Sequence, residues 1–363
     1  MKDSKKNIEY AVYFLNLLAS SLFYSYITTN LLEMNFSNSL FIVVLSSIAS
    51  LIILGDTRYT RLLEKIQIRI FPILGLVIAI FLLIVSGKVN GIVLYLTAFF
   101  LMEIVVSVLL LVFQTTILKD EMSLTVGFLN MQLIRTIAVL FGFFIGTILG
   151  QLNYKNLFFY IFLVVIILNI LATFNYSDKS KQIKEESTEK VKGIHFYFMI
   201  GFLSTATVLW IPLLTKEFIS EKMVTISWLP FVLPGVASML FIILQKRRTW
   251  FFDSMFMELT FIPLFIIFIV SRFLGVFPII QVVIFSIIVA LSLSLGVRIR
   301  KTFLELNIKN NMKYILQSLT VSSAFISLFF SLLGTYERLV EVMLAILCMS
   351  CVCFMIIRRR DFK

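Results

Sequence analysis

The chain has 363 residues, of which 60% are hydrophobic and 14% charged, with a formal net charge of +12 and a mean hydropathy of +1.01. No soluble globular domain has this composition. The single histidine excludes a His-based metal site, and three cysteines are too few for a disulfide framework.

Apolar blocks recur roughly twelve times, and about 20 residues of helix cross the hydrocarbon core of a bilayer. Backbone polar groups must pair internally in lipid, and these blocks show no two-residue alternation, so they read as helices. Span one (10–31) follows Lys2, Lys5 and Lys6 and carries Asn16, Tyr24 and Tyr26. It is too long for a cleavable signal peptide and lacks a small-residue cleavage site. Span two (39–54) leads into a basic loop with Asp56, Arg58, Arg61, Lys65 and Arg69. Span three (70–86) has Pro72 near its start, span four (91–118) carries Glu103, and span five (125–150) carries Arg135, Gly142, Gly146 and Gly150. Span six covers 157–174.

A charged stretch at 177–195, poor in apolar residues, then interrupts the pattern. Span seven (196–215) carries Thr205, Thr207, Trp210 and Pro212, and span eight (223–244) carries Pro230, Pro234 and Gly235. Span nine (255–270) has Glu258 one turn from its start, and span ten (276–297) carries Gln281. Spans eleven (314–333) and twelve (339–357) complete the set, with Glu341 one turn inside the last. Several blocks are short, so ten or eleven full crossings form an alternative count.

With both termini placed in the cytoplasm, 25 of the 32 basic residues fall on the inner side, 6 on the outer side, and Arg135 alone lies within a span. This asymmetry fits an even number of crossings with both ends inside. The basic residues are dispersed over many loops, which fits membrane-surface anchoring and not a nucleic-acid partner. The expected organisation is all-α: a polytopic membrane protein of about twelve transmembrane helices in two six-helix halves, 1–176 and 196–363, joined by a cytoplasmic linker at 177–195. The halves echo one another weakly. Gln132 and Gly150 in span five have counterparts in Gln317 and Gly334 of span eleven, and the basic loop before Pro72 has its counterpart before Pro263. Parallel repeats of this kind occur in transporters that rock two halves about a midplane site.

With its six-plus-six layout, central loop and inside termini, the chain resembles the major facilitator superfamily of secondary transporters. The stretch 113–150 is similar to the span four–span five region of the family's drug and siderophore exporters. Gly142, Gly146 and Gly150 match the glycine spacing of the family's span-five antiporter motif, with Thr147 at the family's proline and Gln151 at a further glycine. Glycines four apart share one helix face and let a neighbouring backbone approach closely, so tight packing alone is the competing reading. In the family's loop motif after span two, only Asp56 and Arg61 match, with Ile52 and Tyr59 at its glycine positions. That pair reads either as a conformational latch or as an ordinary charged loop.

A charge at mid-depth costs about 2.5–3.5 kcal/mol or more, so intramembrane charges lead any site hypothesis. Glu103 and Arg135 both fall near mid-depth, on consecutive spans that could pair. Three readings stay open: a structural ion pair, a titrating Glu103 that couples transport to protons, and direct contact with charged substrate groups. The resemblance implies that spans one, four, seven and ten line a cavity. Glu103 would then face it with Asn16, Tyr24, Tyr26, Thr205, Thr207, Trp210 and Gln281, residues suited to an amphipathic substrate. Interhelical hydrogen bonding is the alternative for each polar residue.

No phosphate-binding glycine loop and no nucleophile–base constellation occurs, so an enzyme is not expected, and neither is a cofactor or metal. Cys348, Cys351 and Cys353 read as small apolar residues of span twelve. The expectation is a proton-coupled exporter of a small amphipathic or weakly charged molecule in the cell membrane, working by alternating access. The alternatives are a non-transporting immunity, sensor or assembly factor on a transporter scaffold, or the membrane subunit of an ATPase-driven complex.

Overall fold

The computed structural model describes residues 2–32, 73–78, 81, 117, 124–152, 154–174, 211, 214–215, 217–247, 256–304, 341, 345–346 and 349. Among these there is no β-strand. Six long helices are delimited: α1 (Lys2–Leu32), α2 (Leu124–Gln151), α3 (Lys155–Phe174), α4 (Leu229–Arg247), α5 (Phe256–Phe273) and α6 (Pro278–Leu304). They correspond to spans one, five, six, eight, nine and ten.

Helix α1 has 31 residues and so extends about 46 Å at 1.5 Å per residue, well beyond the hydrocarbon core. Its first turns are polar yet helical, because Lys and Glu are good helix formers. Helix α3 has the exposed apolar surface expected of a helix that faces lipid. Phe158, Phe159, Phe162, Val165, Ile166, Asn169 and Thr173 are buried, whereas Leu157, Tyr160, Val164, Leu168 and Leu171 are each about half exposed. Both faces are apolar, as expected where the outer face meets acyl chains instead of water. By length and composition, Val126–Gln151, Lys155–Phe174 and Val224–Arg247 are able to cross a membrane.

Two aromatic-rich cores form. One gathers Leu22, Phe23, Tyr26, Phe158, Phe159 and Phe162 between α1 and α3, with Leu149 from α2. The other gathers Phe231, Phe261, Phe265, Phe268 and Phe285 from α4, α5 and α6, with Leu214 from the end of span seven and Phe218 just beyond it. Helix α1 packs on α2 and α3, and α6 packs on α4 and α5. Helix α2 also touches α4 and α6, so it joins the two sets.

The connections set the register. Gly275, with φ 63°, ends α5 in a Schellman turn: the Val276 amide donates to Ser271 O at 3.0 Å and the Gly275 amide to Arg272 O at 3.2 Å. Glycine takes this left-handed position without strain. The prolines of span eight do not break its helix. Pro230 lies in the first turn of α4, where its missing N–H costs nothing, and Pro234 lies within an unbroken helix. Span eight instead begins with a 3-10 turn at Val224–Ile226.

Candidate functional site

Within the first helix set, the polar groups of α1 face α2 and α3. Asn16 and Asn169 form a buried amide pair in which Asn169 Nδ2 donates to Asn16 Oδ1 at 2.8 Å, while Asn16 Nδ2 donates to Val12 O at 2.8 Å. Tyr26 is buried and stacked on Phe158, with ring centroids 3.7 Å apart. Tyr24 is half-buried and meets Phe143 of α2 at 6.0 Å. Asn16 therefore meets α3, and Tyr26 sits in the aromatic core.

Gly142 and Gly146 lie directly against α1. A Cβ on Gly142 would sit 2.0 Å from Ser21 Oγ and 2.8 Å from the Leu22 amide nitrogen; one on Gly146 would sit 2.0 Å from Ser25 Oγ and 2.5 Å from Leu22 O. The serines use this closeness: Ser25 Oγ donates to Gly142 O at 3.2 Å and Ser21 Oγ to Ala138 O at 3.4 Å, besides their bonds to α1 carbonyls. Gly150 is buried at the end of the same helix.

The opposite face of α2 meets α4. Phe143 packs edge-on to Phe231 at 5.7 Å, and Phe144 edge-on to Trp228 at 5.5 Å. Gly235 faces Leu140, whose Cδ1 would lie 3.0 Å from an added Cβ. Polar contacts close both ends: Gln151 Nε2 donates to Ser227 Oγ at one end, and Lys246 Nζ donates to Asn130 Oδ1 at 2.6 Å at the other.

Arg135 lies on α2 about 16 Å from its start, taking 1.5 Å per residue. It is half-buried, and among the described residues no hydrogen bond or ion pair to it is formed. Its expected neighbour Glu103 lies outside the described residues, as do Asp56, Arg61, Thr205, Thr207 and Trp210.

Gln281, expected in a cavity, joins a charged cluster at the end of the second helix set where α5 turns into α6. Arg272 Nε donates to Glu341 Oε1 at 2.8 Å, and Nη2 reaches the same oxygen. Arg272 Nη1 contacts Glu217 Oε1 and donates to Gln281 Oε1 at 3.0 Å, while Gln281 Nε2 donates to Val276 O at 2.6 Å. The Arg272 and Glu341 side chains are 8% and 5% exposed and that of Glu217 is 33%. Glu341 is thus buried in an ion pair. Residue spacing did not disclose this cluster, which unites the segment just after span seven, α5, α6 and span twelve. Nor did it disclose Asn169, or Glu9, which is fully buried on α1. The signal for Asn169 was an amide in the middle of an apolar span. Among the described residues no group of three or more His, Cys, Asp or Glu could hold a metal ion.

No protein-family model matches the chain, and no curated protein sequence matches it. Solved structures do. The human organic anion transporter MFSD10 (TETRAN) is 13% identical with a TM-score of 0.66, over 96% of this chain and 98% of that one. A D-xylose-proton symporter is 11% identical with a TM-score of 0.70, over 97% of each chain. The nucleoside transporter NupG, as a point mutant, is 12% identical with a TM-score of 0.67, over 96% of this chain and 98% of that one. A likeness of this length at such low identity establishes architecture alone: the chain shares the fold of these three solved transporter structures.

Proposed function

We propose that this protein is a secondary active transporter that moves a small molecule across a membrane by alternating access of two halves, 1–176 and 196–363, tethered by 177–195. The observation that carries this reading is the whole-length likeness to three transporters. The α2–α4 seam supports it. Its middle is aromatic and its two ends are closed by single polar contacts, Gln151–Ser227 and Asn130–Lys246. A rocking motion opens one end while the aromatic middle stays in contact.

In this reading the protein sits in the cell membrane with both termini in the cytoplasm and expels its substrate in exchange for protons. The substrate is small and amphipathic or weakly charged. Glu103 is the coupling carboxylate and Arg135 its partner or an anchor for a substrate anion. The glycine similarity of span five to exporters supports the outward direction, and the mid-depth position of Arg135 supports a role in charge recognition. Asn16, Tyr24, Tyr26, Thr205, Thr207, Trp210 and Gln281 are the polar and aromatic groups of the cavity-lining spans. Asp56 and Arg61 act as a latch at the inner surface.

The test is accumulation of labelled drugs, siderophores and short peptides in cells with and without the protein, each repeated with a protonophore. Lower accumulation that the protonophore reverses is the expected result. Identical accumulation across the panel refutes export. Glu103→Gln should then abolish coupled movement with membrane expression intact, and full retained transport removes Glu103 from the coupling role.

A further inference from the structure

The turn between α5 and α6 is built without polar side chains. From Phe273 to Ile280 the chain reads Phe-Leu-Gly-Val-Phe-Pro-Ile-Ile. Phe273, Leu274 and Phe277 are exposed, Leu274 to 74%. The two polar residues that bracket this run turn inward and meet: Arg272 Nη1 donates to Gln281 Oε1 at 3.0 Å, and Gln281 is buried. The segment that reaches Arg272 through Glu217, at the same end of the molecule, is of the opposite character, because it exposes Ser220, Glu221 and Lys222. Turns that project into water are normally rich in such polar residues.

We propose that the α5–α6 turn is a lipid-binding surface, sunk into the bilayer at the boundary between headgroups and acyl chains. Helix α5 has 18 residues and extends about 27 Å, short of a hydrocarbon core of about 30 Å, and any tilt shortens its reach further. Its other end follows the basic run Lys246, Arg247 and Arg248, which favours the aqueous surface. The turn therefore stops before it clears the core. The exposed apolar surface also continues from Ile266, Ile267 and Val270 on α5, through the turn, to Ile280 and Val283 on α6. The turn is thus the end of the same surface that α5 and α6 present to acyl chains. No side chain of the run can form a hydrogen bond, so it offers a protein partner no polar specificity. The backbone suits a poorly hydrated place. The Leu274, Gly275 and Val276 amides donate to the carbonyls of Val270, Arg272 and Ser271, and Gln281 Nε2 donates to Val276 O at 2.6 Å. Pro278 brings no N–H to the start of α6. Internal pairing of this kind is the condition for backbone to lie in lipid. A span shorter than the bilayer is accommodated by local thinning, so the leaflet dips to meet Phe273, Leu274 and Phe277. This surface rests on the membrane fold and is independent of transport.

The experiment reads the depth of the turn directly. A spin label is placed at Leu274→Cys, with Cys348, Cys351 and Cys353 replaced by alanine, in lipid nanodiscs. Leu274 is so exposed that a label there displaces no packing. A second protein carries the label at Ser220→Cys, on the polar segment, as the water-side reference. Relaxation is measured with oxygen, which concentrates in lipid, and with a neutral nickel chelate, which stays in water. The expected result is a ratio of oxygen to nickel effect several-fold higher at Leu274 than at Ser220. A ratio at Leu274 no higher than at Ser220 places the turn in water and overturns the proposal. A Leu274 label that neither reagent reaches is covered by a second copy or another protein, and this also overturns it. The unmodified chain gives an independent answer should the substituted proteins fail to fold. It is irradiated in nanodiscs whose lipids carry a diazirine near the top of the acyl chain. Carbene adducts are expected between Phe273 and Phe277. Adducts on Tyr160 and its exposed neighbours of α3 with none in the turn refute lipid contact.

Discussion

Gly146→Ala tests the seam between α1 and α2. The added methyl would lie 2.0 Å from Ser25 Oγ and 2.5 Å from Leu22 O. The hydroxyl can rotate away, at the loss of its bond to Gly142 O. A transmembrane hydrogen bond of this kind contributes about 0.6 kcal/mol. The Leu22 carbonyl is backbone and can yield only if the helices part by roughly 1 Å, which forfeits about a quarter to a half of each dispersion contact across the seam. Overpacking of this kind costs typically about 1–3 kcal/mol. Alanine regains at most about 1 kcal/mol of helix propensity. The net expectation is a destabilisation of about 1–3 kcal/mol, read as an earlier transition in SDS titration of the purified protein. The pairing of substitutions sharpens the test. Ser25→Ala should not rescue Gly146→Ala, because the Leu22 carbonyl remains. Ser21→Gly should partly rescue Gly142→Ala, because it removes two of the three closest atoms, Ser21 Oγ and Cβ. A double-mutant cycle reads this coupling directly. Wild-type stability in Gly146→Ala, or equal rescue in both pairs, refutes the close approach of the two helices.

Gly235→Ala at the α2–α4 seam should be milder, about 1 kcal/mol or less in the same titration, because only the flexible Leu140 side chain stands in the way, at 3.0–3.3 Å. Asn169→Leu strands the amide of Asn16 and should lower stability by about 1 kcal/mol, whereas the double replacement with Asn16→Leu should recover most of it, as monitored by thermal unfolding in detergent. Lys246→Ala removes an exposed contact to Asn130 and should leave the unfolding midpoint unchanged in the same measurement. Cross-linking of Gln151→Cys with Ser227→Cys should arrest any transport reversibly, with activity returning on reduction.

Helix ends were legible in the sequence where hydropathy and helix share a boundary. Span five was read at 125–150 and α2 runs Leu124–Gln151; span six was read at 157–174 and α3 runs Lys155–Phe174. At α1 and α6 the two boundaries separate. Hydropathy marks the hydrocarbon core, but Lys5, Lys6, Arg298 and Lys301 are comfortable in a helix beyond it, so the helices extend to Lys2 and Leu304. Span eight, at 223–244, matches the crossing stretch Val224–Arg247, but apolar content does not distinguish its opening 3-10 turn from the α-helix that follows. The contacts of the site were less legible. Asn16 stood out as a polar residue in a span, but its partner Asn169 is 153 positions away, and no periodicity links them. The Arg272 cluster is not legible in the sequence, because one-dimensional charge counting cannot see that a nine-residue hairpin returns Gln281 to Arg272 or that span twelve delivers Glu341.

The two faces of α2 differ in mechanical character. Toward α1 it is keyed by glycine and serine, backbone against backbone, and this joint has almost no slack. Toward α4 it presents Phe143, Phe144 and Leu140 to Phe231, Trp228 and Gly235, rings and branched chains that can slide past one another by changing rotamer. One helix therefore serves as a stiff weld on one side and a lubricated bearing on the other. A small hydrophobic molecule wedged between Phe144 and Trp228 would jam the bearing without touching the weld, which makes that gap the place to seek inhibitors that do not compete with substrate.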